Sequence, residues 1–179
     1  MYSHAEGYNT TAFGNYSHAE GSATIANGIN SHTEGTGSKA TSNAAHAEGF
    51  ETEATATYAH AEGKHTLASG ISSHAEGESS KASGRASHAE GGNIAADGAE
   101  LSAVTLTSSN NTSYNIDSTT AEGIGSHAEG IQTLAKNYAS HSEGYKTLAI
   151  NSYAHAEGQG TKAEGSQSHA EGNTTVASG

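Results

Sequence analysis

One feature limits this chain more than any other: a five-residue phrase, Ser-His-Ala-Glu-Gly or a near copy, recurs eleven times. Its histidines are His4, His18, His32, His46, His60, His74 and His88, then His127, His141, His155 and His169, spaced 14 residues apart within each run. Two residues after each stands a glutamate: Glu6, Glu20, Glu34, Glu48, Glu62, Glu76, Glu90, Glu129, Glu143, Glu157 and Glu171. A fixed period of this kind is the signature of a repeat architecture, in which each unit buries its inner face on its neighbours.

A period of seven lies beneath the fourteen. Ala-x-Gly returns at Ala5/Gly7, Ala12/Gly14, Ala19/Gly21 and onward to Ala177/Gly179. Thr33 and Ser142 replace the alanine, and Ser42, Ala56, Asn137 and Asn151 replace the glycine. Odd heptads carry the histidine phrase and even heptads read Thr-x-Ala-x-Gly. Seven residues suit a strand of about five plus a two-residue corner. Alternation along the strands sorts the small residues, including the ladder Thr10, Thr24, Thr52, Thr66, Thr133, Thr147, Thr161 and Thr175, to the inside of a narrow coil. An inward threonine ladder leaves no flat outward threonine face of the ice-binding kind. His and Glu take the outer face of odd strands. The outer face of even strands varies freely (Thr11/Phe13, Lys39/Thr41, Leu134/Lys136), which predicts contact with water. A helix is a poor alternative, because glycine at every seventh position costs roughly 1 kcal/mol each in a helix interior.

Composition alone would argue for disorder. Leu, Ile, Val and Phe together number 17 in 179 residues, and the formal charge is −12. The register overrides that prior, since a disordered chain has no reason to hold it. Off the phrase, eight acids face seven Lys and Arg, so the motif glutamates supply 11 of the 12 net charges. No basic stripe is available for nucleic acid. No apolar span or signal peptide is present, and no membrane partner is expected. The absence of cysteine removes any disulfide framework.

The register breaks once. His88 plus 14 falls on Ser102, and Leu101–Thr105 keeps a motif alanine at Ala103, predicting one layer with Ser102 and Val104 in place of His and Glu. Around Ser-Ser-Asn-Asn, alternating Val104, Leu106, Tyr114 and Ile116 predict a hairpin leaving the rod. The expected organisation is β-roll repeats over 1–105, a hairpin insertion at 106–116 and β-roll repeats over 117–179, twelve coils in one continuous domain. Both ends are in register and lack a polar cap, so Tyr2, Ser3, Val176 and Gly179 are expected to mediate end-to-end contact, with stacking through Met1–Gly7 and Thr175–Gly179.

At the level of the 14-residue unit the chain resembles the head repeats of YadA-like trimeric autotransporter adhesins, Ser-Val-Ala-Ile-Gly followed by Ser-x-Ala-x-Gly. It is similar also to the Ser-His-Ala-Glu-Gly repeats of tail-fibre-like proteins of phages and prophages. The resemblance spans nearly everything except 106–116. It implies an all-β fold, a left-handed parallel β-roll with two short strands per coil, assembled as a homotrimeric rod. It also implies that the two outward residues of the first strand point at the three-fold axis. His18, Glu20 and their equivalents then occupy the apolar positions of the adhesin seam. That exchange changes the chemistry of the seam, so host-surface or collagen binding is not carried over.

Three roles are open to the His–Glu column. Pairing at an inter-chain seam is the expected one, because unpaired buried carboxylates are prohibitively costly. Metal binding by rings of imidazoles is chemically competent, but eleven near-identical layers read as architecture, so no metal or other cofactor is expected. Catalysis needs groups whose environments separate their pKa values, and every layer here is alike; no enzyme is expected. His65, off the phrase, reads as a solvated corner residue. The expected function is a structural segment of an extracellular, cell-surface or virion fibre, with a self-assembling filament or a surface-binding adhesin head as alternatives. The tyrosines Tyr2, Tyr16, Tyr58, Tyr138 and Tyr153 then cover joins between chains. If each His gains a Glu partner, stability should peak between roughly pH 4.3 and 6.5; desolvation would push the histidines the other way.

Overall fold

The computed structural model describes residues 2–93 and 101–179. Two parallel sheets of eleven strands each run along the chain, one made of the histidine strands and one of the even-heptad strands, beside a two-stranded hairpin. Histidine strands such as His18–Ser22 and His46–Phe50 span five residues, and even strands such as Ile25–Ala26 and Lys39–Ala40 span two. Successive turns pair in register, His4 on His18, Ala5 on Ala19, Glu6 on Glu20 and Gly7 on Gly21. The protein is an all-β parallel solenoid with 14-residue coils.

Each letter of the phrase has a mechanical reason. The serine hydroxyl closes the corner: Ser17, Ser31, Ser73 and Ser87 donate to the carbonyl three residues earlier at 2.7 Å. The alanine fills the interior, and Ala19, Ala47, Ala61, Ala75, Ala89 and Ala128 are wholly buried. The expected inner threonines Thr24, Thr52, Thr66, Thr133, Thr147 and Thr161 are buried with them. The glycine permits close approach. At Gly63, φ is +101°, and an added Cβ would lie 2.1 Å from the carbonyl oxygen of Gly77. So small an interior removes little apolar area per residue from water, and the main-chain ladder, with about 1 kcal/mol net per bond, carries much of the cohesion.

The corners fall every seven residues and take left-handed φ, from 48° at Ala139 to 71° at Gly37, mostly without glycine. That conformation costs an L-residue roughly 1–2 kcal/mol. Its main-chain N–H recovers part of this by donating to the coil before, as Ala23 does to Tyr8 and Ala44 to Ile29, both at 2.8 Å.

The break in register differs from the expected one. Strand His88–Gly92 pairs directly with His127–Ile131, and Lys81–Ala82 with Thr120–Ala121. Some 39 positions separate His88 from His127 where 14 separate other neighbours, so the excursion is 25 residues long. The layer expected at Ser102 and Val104 is not in the stack. Val104 instead opens the hairpin, whose strands Val104–Thr107 and Ser113–Ile116 are antiparallel. Within the range expected as repeats, 94–100, including Asp97 and Glu100, lies outside the described residues.

Nor does the hairpin leave the rod. Its Val104, Leu106, Tyr114 and Ile116 pack on Leu134, Leu148 and Ile150 of the even face. Both carboxylate oxygens of Glu164 accept the Ser109 N–H at 2.9 Å. Lys162 donates to the Thr107 carbonyl and Gln132 to that of Ser102. The even face is therefore dry at this place. Elsewhere it is wet as expected, bridged by ion pairs such as Lys39–Glu53 (2.7 Å) and Lys136–Glu122 (2.8 Å).

Candidate functional site

Parallel in-register pairing forces every motif histidine onto the histidine of the next coil. From His4 to His169 the imidazoles form ten consecutive stacks, with ring centroids 4.6–5.0 Å apart and planes within 15° of parallel. The excursion does not interrupt them, since His88 and His127 stack at 4.9 Å. The glutamates form a second column beside the first.

Two contacts tie the columns together. Within a strand, Nε2 of His141, His155, His46 and His18 lies 3.3, 3.6, 3.7 and 3.8 Å from the carboxylate two residues on. Between coils, His74 meets Glu62 and His88 meets Glu76, both at the hydrogen-bonding distance of 3.0 Å. Only a protonated Nε2 can face a carboxylate oxygen favourably, so these contacts select the Nε2–H tautomer or the imidazolium. Most interior side chains of the column are about 35% exposed, as at His74 (35%) and Glu62 (32%). Nε2 of His18, His32, His46, His60, His127, His141 and His155 is nevertheless closed to solvent and has no hydrogen-bond partner.

At three histidines the electrostatics run opposite to the ionic expectation, whereas Glu76 follows it. Burial first, and then the neighbouring imidazoles, hold His32, His46 and His141 below the ordinary value of 6.5, against the pull of the adjacent glutamates. Stacked rings disfavour one another's charge. For Glu76, burial pushes the carboxyl upward. The hydrogen bond from His88, the charges of His74 and His88 and a bond with Glu90 outweigh it and hold Glu76 below 4.5. A stability maximum between pH 4.3 and 6.5 is therefore not what these histidines give, because their contribution is complete only above 6.5.

The other singled-out residues are placed as follows. His65 sits at a left-handed corner (φ 55°), 3.1 Å from Glu51 and edge-on to Phe50. Tyr16, Tyr58 and Tyr153 occupy corners just before histidine strands, and Ile29, Ile71, Ile124 and Tyr138 precede such corners by one residue. All seven are exposed along one edge of the column, in a series interrupted at Asn43/Ala44 and Arg85/Ala86. Of the expected end-to-end residues, Tyr2 is exposed and stacks on Tyr16 at 6.0 Å, Ser3 is exposed, Val176 is half exposed in strand Val176–Ala177, and Gly179 has φ +141°. Met1 lies outside the described residues. Sequence reasoning missed the contacts that fasten the hairpin. The clustering of Leu134, Leu148 and Ile150 on the outer even positions was the available sign.

This column can hold protons, hydrogen bonds or ions, and its layers offer no differentiated acid–base pair. Compared with known proteins, the chain matches no family model and no curated sequence.

Proposed function

We propose that this chain is a non-catalytic structural segment of an extracellular, cell-surface or virion fibre, in which three copies lie side by side with their His–Glu columns toward a shared axis. One observation carries the reading: the column is continuous over all eleven histidine strands, and seven of its Nε2 atoms are dry and unpartnered in the single chain. Dry polar atoms without partners are costly, and small rearrangements against a neighbouring column would pair them. The exposed apolar side chains of Tyr16, Ile29, Tyr58, Ile71, Ile124, Tyr138 and Tyr153 along one edge, interrupted at Asn43/Ala44 and Arg85/Ala86, support the same reading, because clustered exposed apolar side chains mark contact surfaces. The likeness of the 14-residue unit to YadA-like heads and to phage tail-fibre repeats supports the number three and the location. The segment would space or project a module carried elsewhere.

Sedimentation equilibrium tests the assembly. The expected mass is three times the 18.0 kDa of one chain, falling toward one chain when Tyr58 and Ile71 are both replaced by Asp. A monodisperse single chain at micromolar concentration overturns the reading. Electron micrographs with rods much longer than one solenoid would favour end-to-end filament assembly instead.

A further inference from the structure

We propose that the His–Glu column is a linear binding site for divalent transition ions of the zinc or nickel class, filled at alternate rungs. The proposal stands on the geometry of one chain and does not require three.

Ligand chemistry comes first. Neutral imidazole nitrogen and carboxylate oxygen are the donors that borderline cations select. In the groups His46–Glu48–His60, His60–Glu62–His74 and onward to His127–Glu129–His141, one donor atom from each residue lies within 4.8 Å of the others. Within a strand the His–Glu distances of 3.3–3.8 Å match the edge of a tetrahedron around an ion whose bonds are about 2.1 Å. When an ion enters, the ring proton sits on Nδ1 and Nε2 turns its lone pair to the metal. The unpartnered Nε2 atoms, which face carboxylates without bonding them, are the atoms this satisfies.

The stack also sets the stoichiometry. Parallel rings 4.7 Å apart, as at His46 and His60, direct their lone pairs side by side. Two ligands of one ion cannot be further apart than about 4.2 Å, twice the bond length. One ring of each pair must therefore tilt toward the other, which breaks the even stack into pairs. Neighbouring groups share a histidine, as His60 is shared between the first two, and each Nε2 has one lone pair. Ions must skip every second group. The eleven column histidines then hold at most five ions per chain.

The test is a titration of the intact protein with zinc chloride and, separately, cobalt chloride, following heat and the cobalt absorption bands; a parallel sample is refolded in the metal so that assembly cannot block entry. Saturation at more than one and no more than five ions per chain is expected, with the intense visible bands of low-coordinate cobalt. His60→Gln together with His74→Gln should lower the saturating number by at least one, whereas His65→Gln should leave it unchanged. Circular dichroism of each variant establishes that the solenoid is intact. Fewer than one ion per chain in both native and refolded samples overturns the proposal, as does a stoichiometry indifferent to loss of column histidines or saturation near eleven. Chain mass in the same samples reports separately on the trimer, so either idea can fail alone.

Discussion

Adding one methyl group at Gly63 should damage the solenoid far more than adding one at Gly125. At Gly63, φ is +101° and the new Cβ would lie 2.1 Å from the Gly77 carbonyl oxygen. At Gly125, φ is +62° and nothing lies within 4 Å of the added atom. Space alone does not decide the matter. A Cβ at Gly28 would meet the next carbonyl at 1.8 Å, yet the even-heptad glycine position also holds Ser42, Ala56, Asn137 and Asn151. Gly14, Gly28, Gly70, Gly84, Gly123 and Gly165 lie outside the positive-φ region, so a substituted backbone can give way, and Ser42 even gains a hydrogen bond to the Thr55 carbonyl at 2.8 Å. The glycines of the histidine phrase have φ from 95° to 124°, beyond the left-handed range that L-residues reach, and all eleven copies keep glycine. Relief of the contact requires the strands to part by on the order of 1 Å, which takes main-chain bonds out of hydrogen-bonding range. Losing about three such bonds costs roughly 3 kcal/mol, and backbone strain adds about 1–2 kcal/mol. Gly125→Ala meets only the strain, which its many non-glycine counterparts already bear, so about 1 kcal/mol is expected. For a chain of this size 1 kcal/mol moves Tm by about 2–4 °C. Gly63→Ala should therefore lower Tm by roughly 8–20 °C and Gly125→Ala by less than about 4 °C, read by circular dichroism. Equal shifts for the two variants would refute the argument from backbone conformation.

Acid should weaken the fold in two steps: the lowered values of His32, His46 and His141 remove stability as pH falls below 6.5, and that of Glu76 as it falls below 4.5. Charged neighbours in the stack add about 0.9 kcal/mol of repulsion per pair in a water-like dielectric, less in salt; a urea midpoint that rises between pH 7 and 5.5 would contradict this. Leu148, wholly buried under the hairpin, should cost about 2–5 kcal/mol as Leu148→Ala, whereas Leu67→Ala on an uncovered coil should cost less than half as much by the same melt. Ala44→Gly at a left-handed corner (φ 51°) should raise stability by up to about 1 kcal/mol, and a loss would show that the corners are not strained.

Much of this architecture was legible because seven-residue punctuation, small inner residues and outward His and Glu all report one geometry. Ala19 and Thr24 go inside for the alternation reason the sequence supplies. The excursion was misread because Ala103 happens to fall in phase with the motif, and residue counting cannot distinguish a degenerate coil from a segment that leaves the stack. The hairpin's resting place depended on a match between Leu106 and Tyr114 on one element and Leu134 and Leu148 on another, a tertiary fact with no local period. His32, His46 and His141 depart from the ionic expectation for a similar reason. Pairing arithmetic counts one carboxylate per imidazole, but burial of the rings, and then the neighbouring imidazole stacked at 4.7 Å, outweigh the adjacent carboxylates, and only the coil spacing reveals that.

The seamless return of the register after 25 foreign residues has a practical consequence. Because His127 docks on His88 as any rung docks on the one before it, length here is quantised: whole 14-residue units can be removed or duplicated, and the molecule shortens or grows by one strand spacing, about 4.8 Å. A change of reach then needs no new interface, only a change in the number of copies, and the single excursion between His88 and His127 leaves the docking of the rungs on either side of it intact.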